Sequence, residues 1–431
     1  MASTVRVAHG PSVVRQVRRP RSFTRWPTLL LGPGLMVMLA DTDAGSVVTA
    51  AQSGARYGYR LVAAQLVLIP VLYLVQEITA RLGLLTGLGH GALIRHTFGA
   101  RWALLSAGTL FAACLGALVT EFAGLAGIGA MVGVPRVVSV VLPSAALVGL
   151  ILRGGYRRIE AVGIAIGALE LLFIPAALLA HPDPTALMSG LAHPVEGNGG
   201  FLMLLAANVG AVIMPWMVFY QQEATTDRAH DAPDTPSALR AARWNTALGA
   251  VATQVVMIAV LVAVAATIGV SRPGADLDSV GAIASALAPF LGHRNAVVLF
   301  GLGMLGAATV AVLVVSLAGA WGIAEVLGWH HSLNDAPARA WGFYALAVTA
   351  IAAGAGVVLA SPNLVALSVD VEVMNAALLP VVLGFLLLLE RRALSADHRM
   401  RGLRRVATYA LTGLVIVLGL ATAWTSSVAY L

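Results

Sequence analysis

Apolar runs of about 18 to 25 residues recur along the chain, and this feature constrains the fold more than any other. A helix of about 20 residues crosses the roughly 30 Å hydrocarbon core of a bilayer, because each residue adds about 1.5 Å. The chain is 59% hydrophobic and only 11% charged, unlike a soluble domain of this size. We therefore predict an all-α polytopic membrane protein, embedded in a lipid bilayer.

Clusters of Arg, Pro and Gly separate the runs and predict eleven membrane spans. The predicted spans cover approximately residues 28–50, 59–80, 102–127, 136–152, 160–180, 201–222, 245–269, 294–318, 341–360, 363–389 and 406–428. With the N-terminus inside, 22 of the 27 arginines fall in inside segments and 5 in outside loops. This positive-inside asymmetry predicts a multi-pass protein of the cell (plasma) membrane, with a cytoplasmic N-terminus and a C-terminus outside.

Several function classes lack support in the sequence. The single cysteine excludes an internal disulfide and a cysteine-based zinc cluster. Motifs of metalloproteases, nucleotide-driven pumps and serine hydrolases do not occur in a suitable context, so we expect no enzyme and no cofactor. The loop arginines explain the net charge of +7, and we expect no nucleic-acid partner. We expect the chain to act as a monomer.

The first span is interrupted by a polar stretch, Asp41-Thr-Asp-Ala-Gly-Ser46. A charged group at the bilayer centre costs at least about 2.5 to 3.5 kcal/mol, so such groups usually face a cavity, a partner or a transported ion. Gly45 favours unwinding, which a membrane tolerates only where the backbone is buried in protein or lines an aqueous site. We interpret the stretch as a broken helix that holds a cation. A kinked helix with a paired structural aspartate is the alternative.

The sixth span is also interrupted, because Pro215 lies in its middle and removes a backbone hydrogen bond. Two breaks that are five helices apart are typical of transporters with inverted repeats. We predict a LeuT-type fold, a 5+5 inverted repeat plus one extra helix, with helices 1 and 6 broken. Its predicted parts are a cytoplasmic Arg-rich tail (1–27), two five-helix repeats (28–180 and 201–389), and a cytoplasmic loop with the eleventh span (390–431).

Oxygen donors at the two breaks are the first candidates for ligands. Asp43 offers a hard carboxylate beside unwound carbonyls, and Asp41 could be a second ligand or line the entrance. The Ala211 carbonyl and the Met214 sulfur precede Pro215. A thioether favours softer ions than Mg²⁺, and core packing of Met214 is an equal alternative.

The tenth span carries three more polar side chains, Asp370, Glu372 and Asn375. On a helix the two acids are separated by about 200° of rotation, so we expect only one to face the centre. Glu121 in the third span and Glu170 in the fifth are also deep enough for an ion route. A structural hydrogen bond between helices is an equal alternative for Glu170.

Several segments resemble, in the same order, the Nramp family of divalent-metal transporters. The matching runs include Gly32-Pro-Gly34, Asp43-Ala-Gly-Ser46 and Gly210-Ala-Val-Ile-Met-Pro215, where the family has GPG, DPGN and a Met-Pro pair. The resemblance covers roughly residues 28–390. It implies the LeuT-type fold and a divalent metal ion as substrate. The ligands that it implies are Asp43, Ser46, Ala211 and Met214.

The chain also departs from the family pattern. Ser46 replaces an asparagine, Trp216 and Gln221 replace two histidines, and Asp370 aligns with a ligating glutamine. With these changes the chain resembles the magnesium-transporting branch related to the family, whereas its Met214 resembles the other family members. We expect transport of Mg²⁺ and/or Mn²⁺ by alternating access, with proton coupling weak or absent.

The expected metal site comprises Asp43, Ser46, Ala211, Met214 and Asp370, and the candidates for its entrance or path are Asp41, Glu121, Trp216, Gln221, Glu372 and Asn375. Two other functions remain open at this point. One is a sodium-coupled carrier of a small organic substrate in the same fold. The other is a membrane receptor or scaffold in which the acids form structural pairs.

Overall fold

A computed structural model describes residues 32–429 except 154, 194, 196–197, 230–234, 276, 278–279 and 362–365. Within these ranges every regular element is a helix. The predicted tail 1–27 lies outside the described residues. Three short helical turns, Ala168–Leu172, His293–Asn295 and Ala296–Phe300, connect or extend longer helices. The other helices are α1 (Pro33–Asp41), α2 (Ala44–Tyr57), α3 (Val62–Thr86), α4 (His90–Phe98), α5 (Ala100–Met131), α6 (Arg136–Leu152), α7 (Tyr156–Gly167), α8 (Phe173–Leu179), α9 (Pro184–Ala192), α10 (Gly199–Val212), α11 (Pro215–Ala229), α12 (Thr235–Ser271), α13 (Val280–Leu291), α14 (Gly301–Leu327), α15 (Trp341–Ala360), α16 (Ala366–Ala393) and α17 (Gly402–Ala429).

The long helices follow the predicted spans. In the described part of the chain, nine helical segments are long and apolar enough to cross a membrane. The broken first span and the 17-residue α6 are shorter than the other spans, and the count of eleven stays a prediction. Large apolar side chains on the outside, including Leu142, Leu178 and Leu414, are 67%, 69% and 64% exposed. Such a surface fits hydrocarbon and not water.

Both predicted breaks are present. α1 ends at Asp41 and α2 begins at Ala44, so only Thr42 and Asp43 leave the helical path. α10 ends at Val212 and α11 begins at Pro215. The four half-helices lie inside a shell that includes α5, α12, α14 and α16, which contact them directly.

Small residues let the helices around the breaks approach closely, as is common in membranes. A Cβ on Gly210 of α10 would meet the backbone of α16 at Glu372 and Ala376. A Cβ on Gly54 of α2 would meet the α12 backbone at Leu261 and Ala265. The positions of α10 and α2 therefore depend on glycine at the contact.

Three short helices, α4, α9 and α13, are additional to the predicted spans. They have 9, 9 and 12 residues, too few to cross a bilayer. A local signal was present for α9, because Pro184 occupies its first turn and Asp183 accepts a hydrogen bond from the Thr185 amide at 2.9 Å.

An ion-pair network joins four helices at one end of the bundle. Glu77 on α3 pairs with Arg81 at 3.3 Å, with Arg243 of α12 at 3.0 Å, and with Arg404 of α17. Arg81 also pairs with Glu390 of α16 at 3.4 Å. We call these five residues the end network. Its carboxylates are almost fully buried, and the arginines balance their charge.

Candidate functional site

The two helix breaks meet through one side chain, Ser46. A proline has no N–H, so Pro215 leaves the carbonyl of Ala211, four residues earlier, without its helical partner. The Ser46 hydroxyl donates a hydrogen bond to this carbonyl at 2.9 Å. The Ser46 amide in turn donates to Asp43 Oδ1 at 2.7 Å, which caps α2. Asp43, Ser46 and Ala211 therefore form one connected group, as their sequence positions suggest.

Helix ends of both signs meet at this junction. The negative ends of α1 and α10 face the breaks at Asp41 and Val212, and the positive ends of α2 and α11 begin there, where Asp43 caps α2. The second Asp43 oxygen, Oδ2, is buried and has no hydrogen-bond partner. A buried carboxylate with such an oxygen is either protonated or faces a cation.

Glu121 of α5 is the second acid of the site. Its Oε2 accepts a hydrogen bond from the Ala44 amide at 3.1 Å, at the first turn of α2. Its Oε1 lies 3.3 Å from the Thr120 hydroxyl. Glu121 is fully buried and stands beside the residue that follows Asp43. It therefore lies at the first break itself and not only along a route towards it.

Glu372 of α16 is the third acid. Its Oε2 accepts a hydrogen bond from the Asn375 side-chain amide at 3.0 Å. Its Oε1 lies against Gly45, where a Cβ would collide with it. Gly45 is therefore needed for close approach, whereas the unwound residues are Thr42 and Asp43. Both Glu372 Oε1 and Asn375 Oδ1 are buried without a hydrogen-bond partner.

Asp370 does not join this group. It is exposed, whereas Glu372 is fully buried. The rotation of about 200° between the two positions explains why only one acid turns inwards. The structure thus does not bring Asp370 to the helix breaks, where we expected it, and the acid that lies there is Glu372.

Met214 and Trp216 form a buried pair just after the second break. The indole Nε1–H of Trp216 donates to Met214 Sδ at 3.1 Å, and both side chains are fully buried. A thioether is a weak hydrogen-bond acceptor, and this contact occupies part of its lone-pair density. Gln221 lies further along α11 and donates to the Thr246 hydroxyl of α12 at 3.2 Å.

A second group of polar side chains includes residues of the first helix break. The Thr42 and Thr253 hydroxyls lie 2.5 Å apart and join the first break to α12. Asp41 Oδ1 and both Glu170 oxygens are buried without a hydrogen-bond partner. Sequence reasoning missed the Thr42–Thr253 contact, because nothing local links residues that are 211 positions apart.

The potential metal-ligand atoms at the breaks are mainly oxygens, which are hard ligands, and little positive charge lies beside them. Asp43, Glu121 and Glu372 supply three carboxylates, and none of them takes part in an ion pair of the described residues. Carboxylate and carbonyl oxygens are the ligands that Mg²⁺, Ca²⁺ and Mn²⁺ prefer. The arrangement can therefore hold a divalent cation between the two breaks.

The sequence is similar to a known family of proteins. The family model described as natural resistance-associated macrophage protein-like (Nramp) matches residues 34–425. The divalent metal cation transporter MntH of Chromohalobacter salexigens is 30% identical over 316 residues, which are 70% of each chain. The MntH of Pediococcus pentosaceus is 27% identical over 241 residues, and that alignment spans 53% of its length, about half.

A solved structure shares the fold. The Eremococcus coleocola manganese transporter, crystallised with an aromatic bis-isothiourea compound, superposes with a TM-score of 0.75 at 20% identity. The superposition covers 94% of this chain and 89% of that one. It confirms the predicted LeuT-type transporter fold, and the family match extends over most of the chain. The chain therefore belongs to the Nramp family.

Proposed function

We propose that this chain carries divalent metal cations, Mg²⁺ and/or Mn²⁺, across the membrane by alternating access. One observation carries the proposal. The buried oxygens Asp43 Oδ2 and Glu372 Oε1 lack hydrogen-bond partners beside two helix breaks that Ser46 joins. Three acids without a basic partner need a cation when they are ionised. The membership in a family with named metal transporters agrees with this reading.

The proposed ligands are Asp43, Glu372 and the Ala211 carbonyl, with Ser46 and Glu121 holding them in place. Ser46 donates its hydroxyl proton to Ala211, so its oxygen keeps lone pairs that could also face the ion. Met214 contributes less than a free thioether, because Trp216 binds its sulfur. An oxygen-dominated site of this kind accepts Mg²⁺ as well as Mn²⁺.

A sodium-coupled carrier of an organic substrate fits the site less well. Such a carrier binds a substrate carboxylate at the ends of broken helices. Here three buried acids would repel that carboxylate. We therefore propose a metal ion, and not an organic anion, as the substrate.

The experiment measures uptake of Mn²⁺ and Mg²⁺ into proteoliposomes that contain the purified protein. Asp43→Asn keeps an oxygen that can cap α2 but removes the charge, and we expect it to abolish uptake. Glu372→Gln should lower uptake at least about tenfold, because a ligand is weakened. The matched control is Asp370→Asn, which removes an exposed acid two residues away and should leave uptake unchanged. Normal uptake by Asp43→Asn would refute the proposal.

We also propose that proton coupling is weak or absent, because Trp216 and Gln221 stand at positions where the family pattern has histidines. A pH-sensitive dye inside the same proteoliposomes tests this. We expect no acidification during Mn²⁺ uptake, and stoichiometric acidification would contradict it. We further propose a monomer in the plasma membrane, with a cytoplasmic N-terminus and the C-terminus outside.

A further inference from the structure

A second cluster of potential metal ligands lies outside the helix breaks. It consists of Glu223 on α11, Glu325 near the end of α14, and His331 in the segment after α14. One ligand atom from each lies within 4.8 Å of the other two. Glu223 and Glu325 are only 6% and 5% exposed, and the His331 side chain is 32% exposed. The cluster is thus buried on one side and open on the other.

The imidazole of His331 is oriented as in many metal sites. Its Nδ1 lies 2.7 Å from the Trp329 carbonyl, and a carbonyl only accepts, so Nδ1 carries a proton. Its other nitrogen, Nε2, faces Glu223 Oε1 at 3.4 Å. Metal-ligating histidines usually donate one ring N–H to a backbone carbonyl, which fixes the other nitrogen towards the metal.

The two carboxylates are held close together by the start of α4. Glu325 Oε2 accepts a hydrogen bond from the Ala92 amide at 3.1 Å. Both carboxylates also approach Gly89, where a Cβ would collide with Glu325 and Glu223. Among the described residues, the amides of Gly91 and Ala92 and one imidazole face these two buried acids. Amides carry no net charge, so a cation fits among the carboxylates.

Two neighbouring basic side chains, Arg95 and His90, form hydrogen bonds to groups outside this cluster. The guanidinium of Arg95 donates to the Val326 carbonyl at 2.9 Å. Nδ1 of His90 lies 2.9 Å from Gln222 Oε1, and the His90 ring packs against Phe219. Burial lowers the pKa of His90 to about 4, and the Gln222 hydrogen bond raises this pKa by a smaller amount. His90 is therefore neutral at pH 7.

We propose that Glu223, Glu325 and His331 form a second binding site, for a divalent transition-metal ion of the Mn²⁺ class. Two carboxylates and an imidazole suit Mn²⁺ or Fe²⁺, whereas Mg²⁺ prefers oxygen and water. Glu223 lies on the second half of the broken sixth span, so an ion here links that half to α14 and the segment after it. This site is separate from the proposed transport site, whose ligands include no histidine.

The experiment uses Mn²⁺ alone, added to the purified full chain in detergent. Electron paramagnetic resonance counts the bound ions, and pulsed measurements detect nitrogen hyperfine coupling from an imidazole ligand. We expect Asp43→Asn to bind one Mn²⁺ fewer and to keep the nitrogen coupling. We expect His331→Ala to lose the coupling and to weaken binding at the second site at least about tenfold.

Two further variants make the result specific. His398→Ala removes an exposed imidazole whose Nδ1 lies 3.0 Å from the Ser395 hydroxyl, and it should keep the coupling. Glu325→Gln keeps an oxygen that can accept from the Ala92 amide, and it should still weaken the second site. Absence of nitrogen coupling in the unmodified chain, or its persistence in His331→Ala, would overturn the proposal. Loss of transport in Asp43→Asn is independent of either outcome, so the two proposals fail separately.

Discussion

Asp43 shows how one carboxylate can have two roles in a broken helix. One of its oxygens caps α2 through the Ser46 amide, and the other has no hydrogen-bond partner. The cap fixes the side chain at the break, so the second oxygen is positioned before any ion arrives. Preorganisation of this kind lowers the entropy that binding costs.

Gly45 allows a direct test of the close contact with Glu372. Gly45→Ala would place a Cβ against Glu372 Oε1, so we expect a loss of about 1 to 3 kcal/mol in stability and a marked loss of metal binding. Thermal unfolding and Mn²⁺ titration measure both effects. Gly108→Ala is the control, because a Cβ on Gly108 meets nothing within 4 Å and should not destabilise the protein. Equal behaviour of the two variants would show that the contact is unimportant.

Trp216 offers a way to change ion preference without touching a carboxylate. Trp216→Phe removes the indole donor from Met214 Sδ and frees the thioether. Because sulfur binds softer ions better than Mg²⁺, we expect the preference for Mn²⁺ over Mg²⁺ to rise. Competition between the two ions for uptake measures this preference. The double variant Trp216→Phe/Met214→Leu should lose the gain, and an unchanged preference in the single variant would contradict a role for the sulfur.

At the scale of the elements, the end network holds the ends of four long helices together. Glu77→Gln would leave three arginines around a neutral side chain, so we expect a loss of about 3 to 5 kcal/mol. Unfolding of the purified protein by heat or denaturant measures it. Asp397→Asn is the control, because the Asp397–Arg401 pair is exposed and should contribute little. A small effect of Glu77→Gln would mean that the network does not stabilise the bundle.

The whole molecule has two different ends. Four exposed tryptophans, Trp102, Trp244, Trp329 and Trp341, lie on or beside the segments predicted to be cytoplasmic. Tryptophan prefers the interface between membrane and water, so this end has an aromatic belt beside its arginines. The tryptophans mark a membrane interface, and the arginines support the proposed orientation.

Cysteine labelling in intact cells tests that orientation. The native Cys114 is buried, so the unmodified chain should not react with a membrane-impermeant maleimide. Ser189→Cys, on an exposed position of α9, should react from outside, whereas Ser395→Cys should react only after the cells are opened. The reverse pattern would show that the chain is inserted the other way.

The sequence by itself determined the membrane class, the family, the two breaks and the approximate positions of the long helices. α6 and α15 have the same bounds as their predicted spans. These features are local, because an apolar run, a mid-span proline or a loop arginine acts through its immediate neighbours. Asp43 and Ala211 were candidates for the same reason, since each lies at a break, whereas Ser46 became a candidate through the family resemblance.

Only the tertiary structure decided which side chains meet. The rotation of α16 turned Glu372 inwards and Asp370 outwards, and packing against other helices sets that angle. The Trp216 bond to Met214 depends on rotamers fixed by close packing. Glu223, Glu325 and His331 come from separate segments, and no local pattern in the sequence links them. Local sequence fixes where a helix starts and ends, whereas contacts between distant segments fix which of its faces becomes a site.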